Sequence, residues 1–303
     1  FLFLPVRGWL ALEQGLAPQE PPRAWHAMSM FAPADKASSW LKACTAPRPK
    51  LLAIDWPGAP KDGKMQAAVV AEYGGARGMK QLNIDLPLEL EEHDVLIEVH
   101  AASVNHLDIR MRRGDLSKEH PLLLPAVLGT DFSGVVRKTG ILVQHLRPGN
   151  NVFGRQSPAR LVQGRNGTFA EWCVVDSREC AHKPANLTHE QAAAVPSAGL
   201  TAWTALSLGD LVEREGAVNK VVIIGASGGV GSLAVQIAKR HFGAYVVGVC
   251  GPKHRDLVLS LGADEVVDYT KKNLRKRCVH LRNFDLVLDC VGLDDYWEIF
   301  GRE

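Results

Sequence analysis

From Met65 onward the chain is a series of short β-branched runs with polar borders. Residues 66–71 (QAAVVA), 94–101 (DVLIEVHA), 132–137 (FSGVVR), 150–154 (NNVFG) and 169–175 (FAEWCVV) read as strands. Turn residues separate them at Gly74-Gly75, Pro125, Gly140, Pro148-Gly149 and Gly167. Many short strands with this punctuation predict a small β-barrel-like domain over 65–187. After Leu187 the pattern changes. Thr188, with Gln191 three residues on, is a capping box opening a helix. Strands are then predicted at 220–224, 245–249, 264–267 and 285–289, with helices at about 229–241, 253–261 and 271–282 between them. Alternating β and α elements predict an α/β domain over 188–303, a doubly wound parallel sheet with helices on both faces.

Composition narrows the function classes. With 303 residues, 46% hydrophobic and 22% charged, the chain is long enough for two buried cores and too apolar for wholesale disorder. A net charge of +2 gives no electrostatic case for a nucleic-acid partner. No apolar run reaches the ~18 residues of a membrane-spanning helix. The six cysteines form no CxxC pair, which points away from a disulfide framework or a zinc knuckle. Residues 1–64 differ from the rest: nine of the 17 prolines and four of the seven tryptophans lie before residue 61, and no periodicity persists. This stretch reads as an extension outside the folded body. Its Ser-containing, mildly basic part from Met28 reads either as a mitochondrial transit peptide or as a translated extension without function.

The chemistry is concentrated at GASGGVG (225–231), directly after an apolar strand and before a helix. Ala226-x-Gly228-x-x-Gly231 fits the dinucleotide fingerprint with Ala in the first glycine's place. Small residues there let the chain turn, let a pyrophosphate approach the backbone, and let the helix pack on the sheet. Ser227, Gly228, Gly229, Val230 and Gly231 are therefore candidate phosphate contacts at a helix N-terminus. After the next strand, Cys250-Gly251-Pro252-Lys253-His254-Arg255 offers no carboxylate before Asp256. An NAD site usually holds the ribose hydroxyl with Asp or Glu there, whereas Lys253 and Arg255 suit the 2′-phosphate of NADPH. No Ser-His-Asp or Cys-His set stands out. His100, His106 and His182 read as surface or core residues, and the run from Lys271 to Arg277 as a solvated helix face.

These motifs, with HAASVNHLDIRMRRG (100–114), LGTDFSGVV (128–136), GTFAEW (167–172), HKPANLTHEQAAAVPSAGLTAWTAL (182–206), LGADEVVDY (261–269) and FDLVLDCVG (284–292), resemble the zinc-free quinone-oxidoreductase branch of the medium-chain dehydrogenase/reductases. The resemblance implies a GroES-like catalytic domain and a Rossmann domain with cofactor in the cleft between them. It implies an NADPH-dependent reductase of quinone or enone-type acceptors, located in the mitochondrial matrix, with a reticulon-type protein as a further partner. A non-catalytic NADPH-binding module and an inactive truncated product stay open beside that reading. On the family pattern Asn105 and Asp108 line the active site, Thr201 lies near the nicotinamide, and Gly251 and Tyr269 lie on the nucleotide side.

Departures accompany the match. Zinc-dependent relatives have a Cys in the segment that here is Ser103-Val104-Asn105, and His-Glu where this chain has Thr130-Asp131, so no metal is expected. Arg110 replaces a tyrosine found in some members. Family members also run well beyond residue 303, so the Rossmann domain is expected to be incomplete at its C-terminal side.

Overall fold

A computed structural model describes residues 59–209, 211, 218–271 and 284–292. The helix expected at 271–282, beyond Lys271 itself, and the extension up to residue 58 lie outside them. Chain packing divides the protein into two units at Ser197/Ala198.

The first unit is antiparallel. Strands β1 (Lys64–Val70), β2 (Met79–Asp85) and β4 (Ala126–Val127) form a three-stranded sheet in the order β2-β1-β4. A five-stranded sheet contains β3 (Asp94–Ser103), β5 (Asp131–Thr139), β6 (Asn151–Arg155), β7 (Trp172–Asp176) and β8 (Cys180–His182), in the order β7-β3-β5-β6-β8. The near-continuous apolar run of β3 has a simple cause: both faces of its sheet are covered. Val95 and Ile97 pack with Phe132, Val136 and Val152 on one side, while Leu96 packs with Met65, Trp172 and Val174 on the other. Strand β5 can lie against β3 only because Gly134 has no side chain; a Cβ there would fall 2.0 Å from the Glu98 carbonyl oxygen. Two short helices, α1 (His106–Arg113) and α2 (Pro158–Val162), supply Met111 and Leu161 to a third cluster with Val70, Leu122 and Leu128.

Helices α3 (His189–Ala193) and α4 (Pro196–Leu208) follow. The expected cap forms: Thr188 Oγ1 accepts from Gln191 N at 3.2 Å and Gln191 Oε1 from Thr188 N at 3.0 Å. The second unit then alternates β9 (Lys220–Ile224), α5 (Gly229–Arg240), β10 (Tyr245–Cys250), α6 (Arg255–Ser260), β11 (Glu265–Asp268) and β12 (Leu286–Asp289). All pairings are parallel and the order is β11-β10-β9-β12, the central arrangement of a doubly wound sheet. Its two faces alternate residue by residue. Val221 and Ile223 pack with Ala234, Val235 and Ala238 of α5, whereas Val222 and Ile224 pack with Val247 and Val249. The hydropathy pattern gave no signal for β2, whose burial follows no period-2 alternation, nor for the two-residue β4 and three-residue β8.

Candidate active site

The glycine-rich segment is the turn from β9 into α5. Gly225 takes φ +74°, in the left-handed region glycine adopts without strain, and both Gly225 N and Ala226 N donate to Val249 O at 3.0 and 3.1 Å. Gly228 caps α5 in extended backbone and, lacking a side chain, gives the helix no cap bond. A Cβ on Gly229 would meet nothing within 4 Å, so this end of the helix opens onto free space. Gly231 is the opposite case. It is buried, and a Cβ there would lie 2.1 Å from Gly225 O, so its absence lets the helix seat on the strand–loop junction. A bare helix N-terminus with space in front and tight packing behind fits a pyrophosphate.

Beside this turn, a cavity of about 220 Å³ opens at the C-terminal ends of β10 and β11, lined by Cys250, Gly251, Pro252, Arg255, Val266, Asp268 and Lys271. Arg255 Nη1 donates to Val266 O at 3.1 Å, which fixes the guanidinium on the cavity wall. Asp268 Oδ1 accepts from Thr270 N and Thr270 Oγ1 at 2.9 and 2.7 Å. The phenol oxygen of Tyr269 lies 3.5 Å from the place a Gly251 Cβ would occupy. Lys253, on the short 3₁₀ turn Pro252–His254, is exposed and not on the cavity wall.

In the first unit, polar side chains converge on the buried carboxylate of Asp131. Its Oδ2 accepts from Ser103 Oγ and Asn105 Nδ2, both at 3.0 Å, and its Oδ1 from Ser197 Oγ at 2.6 Å. Ser197 N also donates to both carboxylate oxygens, and Arg155 Nε donates to Ser197 Oγ at 3.0 Å. Asp108 is buried beside this cluster, one turn into α1. Its Oδ2 accepts from Asn105 N at 2.7 Å, while its buried Oδ1 finds no partner. Burial pushes the Asp108 carboxyl up to about 6, and the nearby Asp131 charge adds to that rise. Backbone N–H groups of Asn105, Gly129 and Asp108 itself oppose it.

The candidates thus separate into three places. Asn105 and Asp108 share the Asp131 cluster, Thr201 sits half-buried on α4 in the second unit, and the glycine loop with Gly251, Arg255 and Tyr269 occupies one end of the parallel sheet. The sequence alone did not single out Asp131 and Ser197 as the hub of a network, nor Asp268 and Lys271 as cavity walls. It also passed over His189, whose Nδ1 lies 2.8 Å from Ser133 Oγ and whose ring is tilted by 41° against that of His100, centroids 4.5 Å apart. Among the described residues no group of three or more His, Cys, Asp or Glu side chains is placed to hold a metal ion. Nor, among them, is any helix long and apolar enough to cross a membrane.

A barrel-type first unit joined to a parallel-sheet unit with a glycine-rich nucleotide turn defines the two-domain dehydrogenase architecture. Family models agree: residues 91–185 match the alcohol dehydrogenase GroES-like domain and 229–299 match the zinc-binding dehydrogenase domain. The chain belongs to the medium-chain dehydrogenase/reductase family. It is similar to the NAD(P)H oxidoreductase RTN4IP1, mitochondrial, of Mus musculus, at 37% identity over 270 residues covering 84% of this chain and 66% of the relative. It is also 37% identical to the NADPH-dependent alkenal/one oxidoreductase, chloroplastic, of Arabidopsis thaliana, over 78% of this chain and 59% of that one. Among solved structures, the quinone oxidoreductase from Coxiella burnetii superposes with a TM-score of 0.69 at 29% identity, over 78% of this chain and 73% of that one. The chain therefore spans less than two thirds of the length of the first two relatives.

Proposed function

We propose that the protein is an NADPH-dependent reductase of quinone or enone-type acceptors. The observation that carries this reading is the bare, glycine-lined N-terminus of α5 at the end of β9, where Ser227, Gly228, Gly229 and Val230 would receive the pyrophosphate while buried Gly231 seats the helix behind them. Gly251, Lys253, Arg255 and Tyr269 take the adenosine end. When bound, the reduced nicotinamide supplies a hydride to an electron-poor acceptor, and a proton completes the reduction. In the first unit Asn105 is the candidate acceptor-side residue, with Asp131 fixing its amide and Asp108 holding its backbone N–H, and in the second unit Thr201 is the candidate beside the nicotinamide. The reaction needs no zinc in this reading, because Thr130 and Asp131 stand where zinc-dependent relatives carry their His-Glu pair, and Asp131 is already saturated with hydrogen-bond donors.

NADPH is the preferred nucleotide on the same reading, since the end of β10 carries Cys250 and Gly251 rather than a carboxylate and the following turn is cationic. Relatives named as NADPH-dependent alkenal/one and quinone oxidoreductases support the acceptor class, and relatives named mitochondrial support a mitochondrial location. A reticulon-type partner rests on resemblance alone. The test is direct titration of purified protein with NADPH and NADH, followed by turnover with a panel of quinones and enones. Tighter NADPH binding with turnover is the expected result. Binding without turnover on any acceptor leaves a nucleotide-binding module, and failure to bind either nucleotide overturns the proposal.

A further inference from the structure

We infer that Lys271 determines nucleotide choice, acting with Arg255 on the 2′-phosphate of the adenosine ribose; this rests on the NADPH reading above. Sequence spacing draws attention to the turn after β10, where an acidic residue would mark an NAD site. The cavity has a second wall, however, built from the strand next door. Because β10 and β11 run parallel, with Cys250 opposite Asp268, the residues following both strands emerge on the same edge of the sheet. Arg255 comes from the β10 side and Lys271 from the β11 side, and both line the same space.

Two local features aim these cations. One of the five N–H donors of Arg255 goes to Val266 O, which holds the guanidinium against the wall, and among the described residues its other donors stay open to an anion. On the β11 side, Asp268 Oδ1 accepts from both Thr270 N and Thr270 Oγ1, a local turn directly before Lys271, which lines the cavity.

Charge decides what such a cavity accepts. Among the described residues, its charged lining at neutral pH comprises Arg255 and Lys271 against the carboxylate of Asp268, the Cys250 thiol being pushed up by burial and neutral. With both cations present the lining is net positive and suits a phosphate; with Lys271 neutralised, Arg255 and Asp268 cancel. The remaining carboxylate would then favour a ribose hydroxyl over a phosphate. Lys253 stands exposed on the neighbouring turn and adds its positive charge from outside the cavity wall.

The experiment compares adenosine 2′,5′-bisphosphate with adenosine 5′-monophosphate, which differ only in the 2′-phosphate, by calorimetric titration of the full chain. Lys271→Gln should weaken the bisphosphate about tenfold, as expected for one charge-assisted phosphate contact, and leave the monophosphate within about twofold. Lys271→Arg should restore most of the loss, and the wild-type preference should shrink on raising ionic strength from about 0.05 M to about 0.5 M. Unchanged bisphosphate affinity in Lys271→Gln overturns the role of Lys271. So does an equal loss for both ligands, which would report a structural effect. If the wild-type chain binds neither ligand nor NADPH, the nucleotide reading itself falls, an outcome distinct from a wild type that binds but ignores the lysine.

Discussion

Replacing Asp108 with Asn should make the protein more stable at neutral pH, and the gain should vanish in acid. The carboxyl is buried, one of its oxygens has no partner, and burial raises it from its usual 3.8 to about 6. Between those two values the folded protein binds more protons than the unfolded chain, so stability falls as pH climbs through that window. A rise of roughly two units corresponds to about 3 kcal/mol, fully felt above about pH 7 and absent below about pH 3. The amide retains the shape, and its oxygen still accepts the Asn105 N–H, while its NH₂ takes the place of the unpartnered oxygen. The assay is urea unfolding of wild type and Asp108→Asn at steps from pH 4 to pH 8. Taking the difference at each pH cancels the other titrating groups, with the exception of Asp131, whose repulsion of Asp108 is part of the effect. The variant should gain about 2–3 kcal/mol relative to wild type between the two extremes. A difference that does not change with pH, or a variant that loses ground as pH rises, would show that the carboxyl is not held in this state.

The loop glycines should part company on mutation. Gly231→Ala places a Cβ against Gly225 O and should lower stability by about 1–3 kcal/mol, seen as an earlier thermal midpoint. Gly228→Val replaces the N-cap glycine and brings a Cβ to 3.3 Å from Gly225 O, so it should melt modestly earlier than wild type yet bind NADPH at least about tenfold more weakly; loss of stability without loss of binding would contradict the assignment. Asp131→Ala strips the acceptor from Ser103, Asn105 and Ser197 together and should cost about 3–5 kcal/mol in chemical denaturation. Elemental analysis after chelator washing should find zinc well below one atom per chain, and stoichiometric zinc would reverse the zinc-free reading.

The sequence was most informative where one local rule determines structure, and least informative where distant segments meet. Strands 220–224 and 245–249 and the helix after GASGGVG fall within a residue or so of β9, β10 and α5, because an apolar parallel strand, a small-residue turn and a capped helix each leave their own periodicity. The Thr188 box was legible for the same reason, since both of its hydrogen bonds span three residues. Strand β2 was not: it sits at the edge of its sheet, beside β1 alone, and most of its side chains face solvent, so no alternation records its pairing. Asp131 shows the same limit at the level of chemistry. Its partners come from positions 103, 105 and 197, and no spacing in the chain joins them before β3 and β5 pair. The basic run that begins at Lys271 is the sharpest case. As a string of cations it looks like solvated surface, and most such runs are. What separates its first lysine from that background is the parallel register of β10 and β11. That register sets the end of one strand beside the end of another 18 residues later, so that one cavity is shared between two turns that the sequence presents as unrelated.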